Sequence, residues 1–359
     1  MLSSLQRALE LFWRRLTGRR VPPRAVYKGV VGIEHRNFVL DRAAFRFAGA
    51  NNYYLIYKSR FMADAVFEAA RHLGLRAIRT WGFIDRGSLD GTVADSDPPG
   101  HKDGVYFQHW DPQRGAPAYN DGSDGLERLD YVVHRAAELG LKLIIPLVNN
   151  WKHFGGIEQY RIWYGLGGHD DFYSDLRSRC AYRNWVAHLL DRTNTLTGRR
   201  YADEPAILAW ELANEPRCPS SAAVLLRWMD QMSSFIRDLD SRHLVAAGDE
   251  GFFRRPWSGE WMYDGSTGGD FEAFLRLPAI DFGTFHLYPE DWGKDAAWGV
   301  RWIREHLEAG ARAGKPVLLE EYGWKDHATR EATFEAWHSA LLEGGAPGSL
   351  VWMLAGAQD

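Results

Sequence analysis

Two glutamates could do chemistry together. Glu215 stands in Asn214-Glu215-Pro216, just past the apolar run of ILAWELANEPR, and Glu321 follows Glu320 at the end of PVLLEEYGW. If both runs are barrel strands, both carboxyls sit at strand ends, where barrel active sites are built. One carboxyl, kept protonated, can assist a departing oxygen. The other, kept ionised, can attack the carbon that the oxygen leaves. Cleaving a glycosidic bond this way with retention needs them about 5–5.5 Å apart, in environments that push their proton affinities apart. Alone, Asn-Glu-Pro reads equally well as a surface turn made by Pro216, and Glu321 as a structural glutamate. Two strand-end carboxyls three strands apart are a much stronger signal, because they can converge across one barrel mouth. Glu320 and Glu321 are adjacent, so a regular strand turns one to the mouth and the other to the helix layer.

Other polar residues fall near the same rim. Arg79 ends the run AIRTW, where its charge and hydrogen bonds could hold a carboxylate ionised. His286 and Tyr288 share one face of HLY by strand alternation. The phenol could orient the nucleophile and the imidazole could contact sugar hydroxyls, although each alone reads as well as a satisfied buried polar residue. The 13 His are scattered, with no HExxH metal pattern, no GxGxxG after a strand and no P-loop. There is no GxSxG elbow. Hydrolysis without cofactor or metal is the chemistry that remains.

What must position these residues is an alternation of short apolar runs with amphipathic helices, the mark of parallel βα units. The runs are 46–50, 77–81, 142–149, 207–212, 243–247, 282–287, 316–320 and 350–354, with helices expected over 61–73, 125–139, 222–239 and 299–313. Eight such strands predict an α/β fold, a single (β/α)8 TIM barrel over 25–359, with a short hairpin around 38–45 before strand 1. Residues 1–24 form the lead-in. There Leu5, Ala8, Leu9, Phe12, Trp13 and Leu16 recur at helical spacing. The chain ends five residues after Leu354, so this amphipathic helix is expected to cover the flank where a last helix would pack. Residues 85–125 form a long Asp/Gly/Pro-rich loop after the second strand, of the kind that is usually functional.

Lys+Arg (43) and Asp+Glu (47) nearly balance, so no electrostatic case for nucleic acid exists. Aromatics make up 14% of the chain and 16 residues are Trp. About half of these are expected to face a ligand groove, since the indole pairs an apolar face with a polar edge. Cys180 and Cys218 have no metal spacing and are expected as free buried thiols. No run approaches the roughly 20 apolar residues of a membrane span. The N-terminus lacks the apolar core of a secretion signal, which reads as cytoplasmic as it stands, or secreted if a signal has been removed. A monomer is expected.

From about Phe45 onward the chain resembles glycoside hydrolase family 5, and within it the endo-β-1,4-mannanases. The resemblance is carried by GANNYYL, IRTWGF, LDYVVHRAAELGLKLIIPLVNNW, WELANEPR, HLVAAGDEGFF, DFGTFHLYPEDW and PVLLEEYGW. It implies Glu215 as acid/base and Glu321 as nucleophile, since the family's catalytic Glu directly precedes the aromatic-Gly pair. It also implies that Arg79, Asn214, His286, Tyr288 and Trp352 line the reacting subsite, while Trp81, Asn150, Trp151 and Trp292 contact neighbouring sugars. The implied partner is β-mannan, glucomannan or galactomannan, or manno-oligosaccharides. Exo-acting β-mannosidase, transglycosylase and, from another class, a non-catalytic mannan-binding protein are the rival readings. Secreted family members carry a signal and usually continue beyond the last strand; this sequence departs on both points.

Overall fold

A computed structural model of the chain describes residues 27–359, so the helix expected over 4–17 lies outside the described residues. Eight parallel strands make the central sheet: β1 Phe47–Asn51, β2 Ala77–Arg79, β3 Lys142–Pro146, β4 Ile207–Glu211, β5 Leu244–Ala246, β6 Gly283–Leu287, β7 Val317–Tyr322 and β8 Gly348–Val351. Their spatial order is β5-β4-β3-β2-β1-β8-β7-β6. The seam between β5 and β6 is closed by Asp281, whose N–H donates to Val245 O and whose carboxylate accepts the Val245 N–H, both at 2.8 Å. This is the (β/α)8 barrel that the alternation predicts.

Among the described residues, eight α-helices surround it: α1 Arg60–His72, α2 Leu126–Glu138, α3 Gly156–Tyr164, α4 Leu176–Asp191, α5 Ala222–Leu239, α6 Phe271–Arg276, α7 Ala296–Ala313 and α8 Arg330–Glu343. Local chemistry sets their starts. Ser59, Asp175, Ser221, Asp270 and Asp295 each accept a backbone N–H of the first turn of α1, α4, α5, α6 and α7, satisfying donors that a helix start leaves unpaired. Inside the barrel's N-terminal end, Ala77, Ile144, Leu208, Leu244, Phe282, Leu318 and Leu350 pack on Val31, Phe38 and Phe45. A small three-stranded sheet, Val31–Glu34, Asn37–Leu40 and Ala43–Ala44, therefore plugs that end. The hairpin of this sheet starts seven residues earlier than the expected 38–45.

Two expectations change, while the expected docking of the 4–17 helix lies outside the described residues. The 85–125 segment is not a bare loop: it holds a second three-stranded sheet, Asp85–Ser88, Gln108–Asp111 and Ala116–Tyr119, whose middle strand pairs parallel to the first and antiparallel to the third. Burial of Phe107 and Ile84 anchors it to the core. Cys218 is a free buried thiol, but Cys180 is free and exposed, because it falls on the outer face of α4. Residues 352–359 pack at the end of β1: Asn52 donates to Leu354 O at 2.9 Å, and the Gly356 N–H donates to the Tyr54 hydroxyl at 2.9 Å.

Candidate active site

Arg79, the last residue of β2, lies at the centre of the C-terminal end and is wholly buried. Its Nε donates to Glu211 at 2.9 Å, one terminal nitrogen to Glu321 Oε1 at 2.5 Å, and the other to Asn214 Oδ1 at 2.8 Å. A planar fork suits this three-way task, which one ammonium could not fill. Burial disfavours its charge, but the carboxylates of Glu211, Glu320 and Glu321 outweigh that and hold it cationic.

Glu321, on β7, also accepts from the Tyr288 hydroxyl at 2.8 Å, and Nδ1 of His286 lies 3.7 Å from it. Burial and the nearby Glu215 raise its proton affinity; His286, Arg79 and Tyr288 oppose them. Glu215 approaches from the end of β4. Its carboxyl meets His286 Nδ1 at 2.7 Å and accepts from the Trp151 indole N–H at 2.5 Å. Burial raises its affinity, but His286, Trp151 and Arg217 prevail, leaving it ionised in the free groove with the shared proton on the imidazole. One oxygen of each carboxyl and a ring nitrogen of His286 all lie within 4.8 Å of one another. Among the described residues, this trio is also the one group whose ligand atoms lie close enough to share a cation.

Glu215 has a backbone φ of 54°, in the left-handed region that side chains other than Gly, Asn and Asp rarely adopt. Its N–H donates to Gly248 O at 2.8 Å, and Asn214 is tied to β3's extension through Asn149 at 3.0 Å. The turn is held from both neighbouring strands, which is what aims the carboxyl across the mouth.

Adjacent Glu320 and Glu321 do not face opposite ways. The β6–β7 register pairs Phe285 with Leu319 but His286 with Glu321, so Glu320 is an extra residue in a bulge. The bulge breaks the alternation and turns both carboxyls inward: Arg79 lies 3.5 Å from Glu320 and His286 lies 3.6 Å from it.

The Glu215–Glu321 pair opens into a groove of about 770 Å³, within the range of ligand sites, about 300–1,000 Å³. Trp81, Trp151, Trp292 and Trp352 line it with Asn214, Glu215, Tyr288 and Glu321. Four tryptophans is fewer than half. Others, including Trp185, Trp210, Trp228, Trp302 and Trp337, are core. Trp352 stacks on Tyr53 at 6.0 Å and meets Trp81 at 6.0 Å, forming one wall. Trp292 is braced edge-on by Trp298 and Phe252. His286 lies beneath the surface, reaching the groove only through the two glutamates. Asn150 does not line the groove; its side chain accepts the Arg217 N–H at 3.0 Å. Arg217 in turn makes two 2.7 Å bonds to Glu250 and lies over the Trp151 ring.

The family model described as GH family 5 beta-mannosidase-like matches residues 31–339. The chain belongs to this family. It is 41% identical over 320 residues to the probable mannan endo-1,4-beta-mannosidase F of Aspergillus oryzae, covering 88% of this chain and 64% of that protein, so it spans just under two thirds of that relative's length. The crystal structure of the endo-1,4-beta-mannanase from Rhizomucor miehei superposes with a TM-score of 0.84 at 39% identity, covering 90% of each chain. The endo-beta-1,4-mannanase of Thermotoga petrophila gives a TM-score of 0.79 at 43% identity, over 88% of this chain and 69% of that one.

This family 5 chain also places in the groove residues that the sequence reading missed: Tyr53, Tyr57, Lys58, His101, Asn149, His153, Phe154 and Asp291. Tyr53 and Asn149 lie inside segments that carried the resemblance, so position relative to a strand end was the available signal. His101 comes from the 85–125 excursion and had none. The Trp151 loop is folded by three successive left-handed residues, Phe154, Gly155 and Gly156. A Cβ on Gly156 would meet Trp151 O at 2.2 Å and Asn149 O at 2.5 Å. Gly156→Ala should therefore lower stability by about 1–3 kcal/mol from conformation alone, and more from the clash, while displacing the indole from Glu215. Thermal denaturation checks this; an unchanged midpoint would show that the loop yields freely.

Proposed function

We propose that this family 5 glycoside hydrolase is a retaining endo-β-1,4-mannanase, acting as a single chain on mannan, glucomannan or galactomannan, with Glu215 as acid/base and Glu321 as nucleophile. One observation carries the reading: oxygens of the two carboxyls lie within 4.8 Å of each other, whereas inversion wants the carboxyl groups about 6.5–9.5 Å apart to seat a water. The names of its relatives supply the sugar.

In the first half-reaction a Glu321 oxygen attacks C1 as the C1–O bond breaks, and Glu215 gives its proton to the leaving oxygen. Water then attacks C1 of the glycosyl ester, loses a proton to Glu215 and releases Glu321. Arg79 and Tyr288 fix the nucleophile's two oxygens and favour its ionised form. Before chemistry the proton must return from His286 to Glu215 across 2.7 Å. A bound sugar that displaces water weakens the ionised carboxyl's solvation and draws it across. Asn214 faces the groove beside the pair and would bond the hydroxyl next to C1, which is axial in mannose. Aromatic walls on both sides of the pair favour a chain running through, hence internal cutting.

Parallel time courses on mannan, glucomannan and cellulose test this. Mixed manno-oligosaccharides at early times support it. Mannose alone at early times would make the enzyme exo-acting, and release from cellulose alone would refute the sugar assignment.

A further inference from the structure

Beneath the catalytic pair lies a second layer of charge, closed to solvent: Arg79, Glu211, Glu320 and the Nε2 side of His286. Glu320 is there only because of the bulge in β7. With every carboxyl ionised, Glu211, Glu215, Glu320 and Glu321 would set four negative charges against two cations, Arg79 and His286. A buried excess of two is not sustainable without retained protons. Two further acids border the layer, on the segment after β5. Glu250 pairs with Arg217 at 2.7 Å while burial and Glu215 push it up to about 8, and burial pushes Asp249 up to about 7, so neither adds a full negative charge to the layer. Tyr288 faces Glu321 as a neutral donor.

The hydrogen bonding shows where one proton belongs. Glu211 Oε1 and both oxygens of Glu320 are buried with no hydrogen-bond donor, and the two carboxyls flank the same Arg79 Nε at 2.9 and 3.5 Å. A proton retained on one of the two lowers the buried charge where no donor offsets it. Glu320 lies against two cations, Arg79 at 3.5 Å and His286 at 3.6 Å, whereas Glu211 touches Arg79 alone, at 2.9 Å. Negative charge is stabilised better on Glu320.

We propose that Glu211 carries this proton and that Glu320 is a fixed anion that keeps the His286 imidazole charged from below, so that the proton shared with Glu215 stays in the site. Glu320 is then a positioning residue, acting on the acid/base group through His286. Its removal weakens the hold on that proton, and the alkaline limb of the pH profile moves toward acid. Glu211 is already neutral, so its amide isostere changes little at His286. The kinetic arm rests on the mannanase reading; the arm that follows does not.

The experiment is a nitrogen-15 NMR titration of the full chain, with the His286 signals assigned by their loss in His286→Gln, beside kcat/KM against pH on mannohexaose. In the wild type the imidazole should still be charged at pH 7. Glu320→Gln should lower both its midpoint and the alkaline limb by about one pH unit or more, a tenfold loss of proton affinity. Glu211→Gln should shift either by less than half as much, whatever it does to the plateau rate. Equal shifts in the two variants, or no shift in Glu320→Gln, overturn the proposal. Should Glu320→Gln fail to fold, the wild type decides: a neutral imidazole at pH 7 overturns it and a charged one supports it. A charged His286 in a chain without activity on mannan would sink the mannanase reading and leave this one standing.

Discussion

In Glu321→Ala, kcat/KM on manno-oligosaccharides falls by about 10⁴-fold or more, the scale seen when a covalent catalyst is removed. Glu215→Ala falls comparably on substrates with poor leaving groups. The loss alone does not separate the two roles, but azide does. With Glu321 shortened, azide occupies the vacated face and attacks C1 while Glu215 protonates the departing oxygen, so the product is the α-mannosyl azide. With Glu215 shortened, a dinitrophenyl mannoside still forms the ester on Glu321, because that leaving group needs no proton. Azide then displaces Glu321 from the opposite face, giving the β-mannosyl azide. Chromatography and proton NMR of the products read the anomer. The same anomer from both variants, or near-wild-type rates in Glu321→Ala, would remove the assignment.

Arg79→Met should be the most damaging substitution for the fold. It leaves Glu211, Glu320 and Glu321 without the cation that they share. Breaking a buried ion pair by deleting one partner costs about 3–5 kcal/mol, so the melting temperature should drop by roughly 5–15 °C. The sign of its pH dependence follows. Without the guanidinium, the buried carboxyls have raised proton affinities in the folded state, and a group so raised destabilises the fold above its unfolded value. The deficit against wild type should therefore be greatest at neutral pH and shrink as pH falls and the carboxyls take up protons. Arg79→Lys should lose activity too, because a point charge cannot reach Glu211, Asn214 and Glu321 at once. Calorimetry from pH 4 to 8 checks both; a melting temperature within about 1 °C of wild type throughout would show that other groups neutralise the cluster.

The barrel was legible because its strands are apolar runs separated by stop signals such as Gly74 and Gly140, both in the left-handed conformation that ends a helix. Strand ends then pointed to Arg79, Glu215 and Glu321 without any knowledge of the three-dimensional arrangement. Three kinds of feature stayed hidden. One is the β7 bulge: alternation assigns Glu320 outward, and one extra residue in one ladder reverses that, which no local pattern marks. Another is tertiary choice among equivalent residues. Asn150 turns to Arg217 while adjacent Trp151 turns to Glu215, and nothing in the pair's sequence separates the one from the other. The small sheet within 85–119 was unreadable for a further reason: its strands are four residues each and are held by contacts to the barrel rather than by their own periodicity.

The left-handed backbone at Glu215 has a bearing on how such an enzyme could change over generations. A glutamate there costs about 1–2 kcal/mol that glycine or asparagine would largely avoid. A lineage kept only for durability would drift toward those residues and fall silent as a catalyst. The glutamate at this position runs against the preference of its own main chain, a cost that the acid/base role proposed for it would offset with turnover rather than endurance.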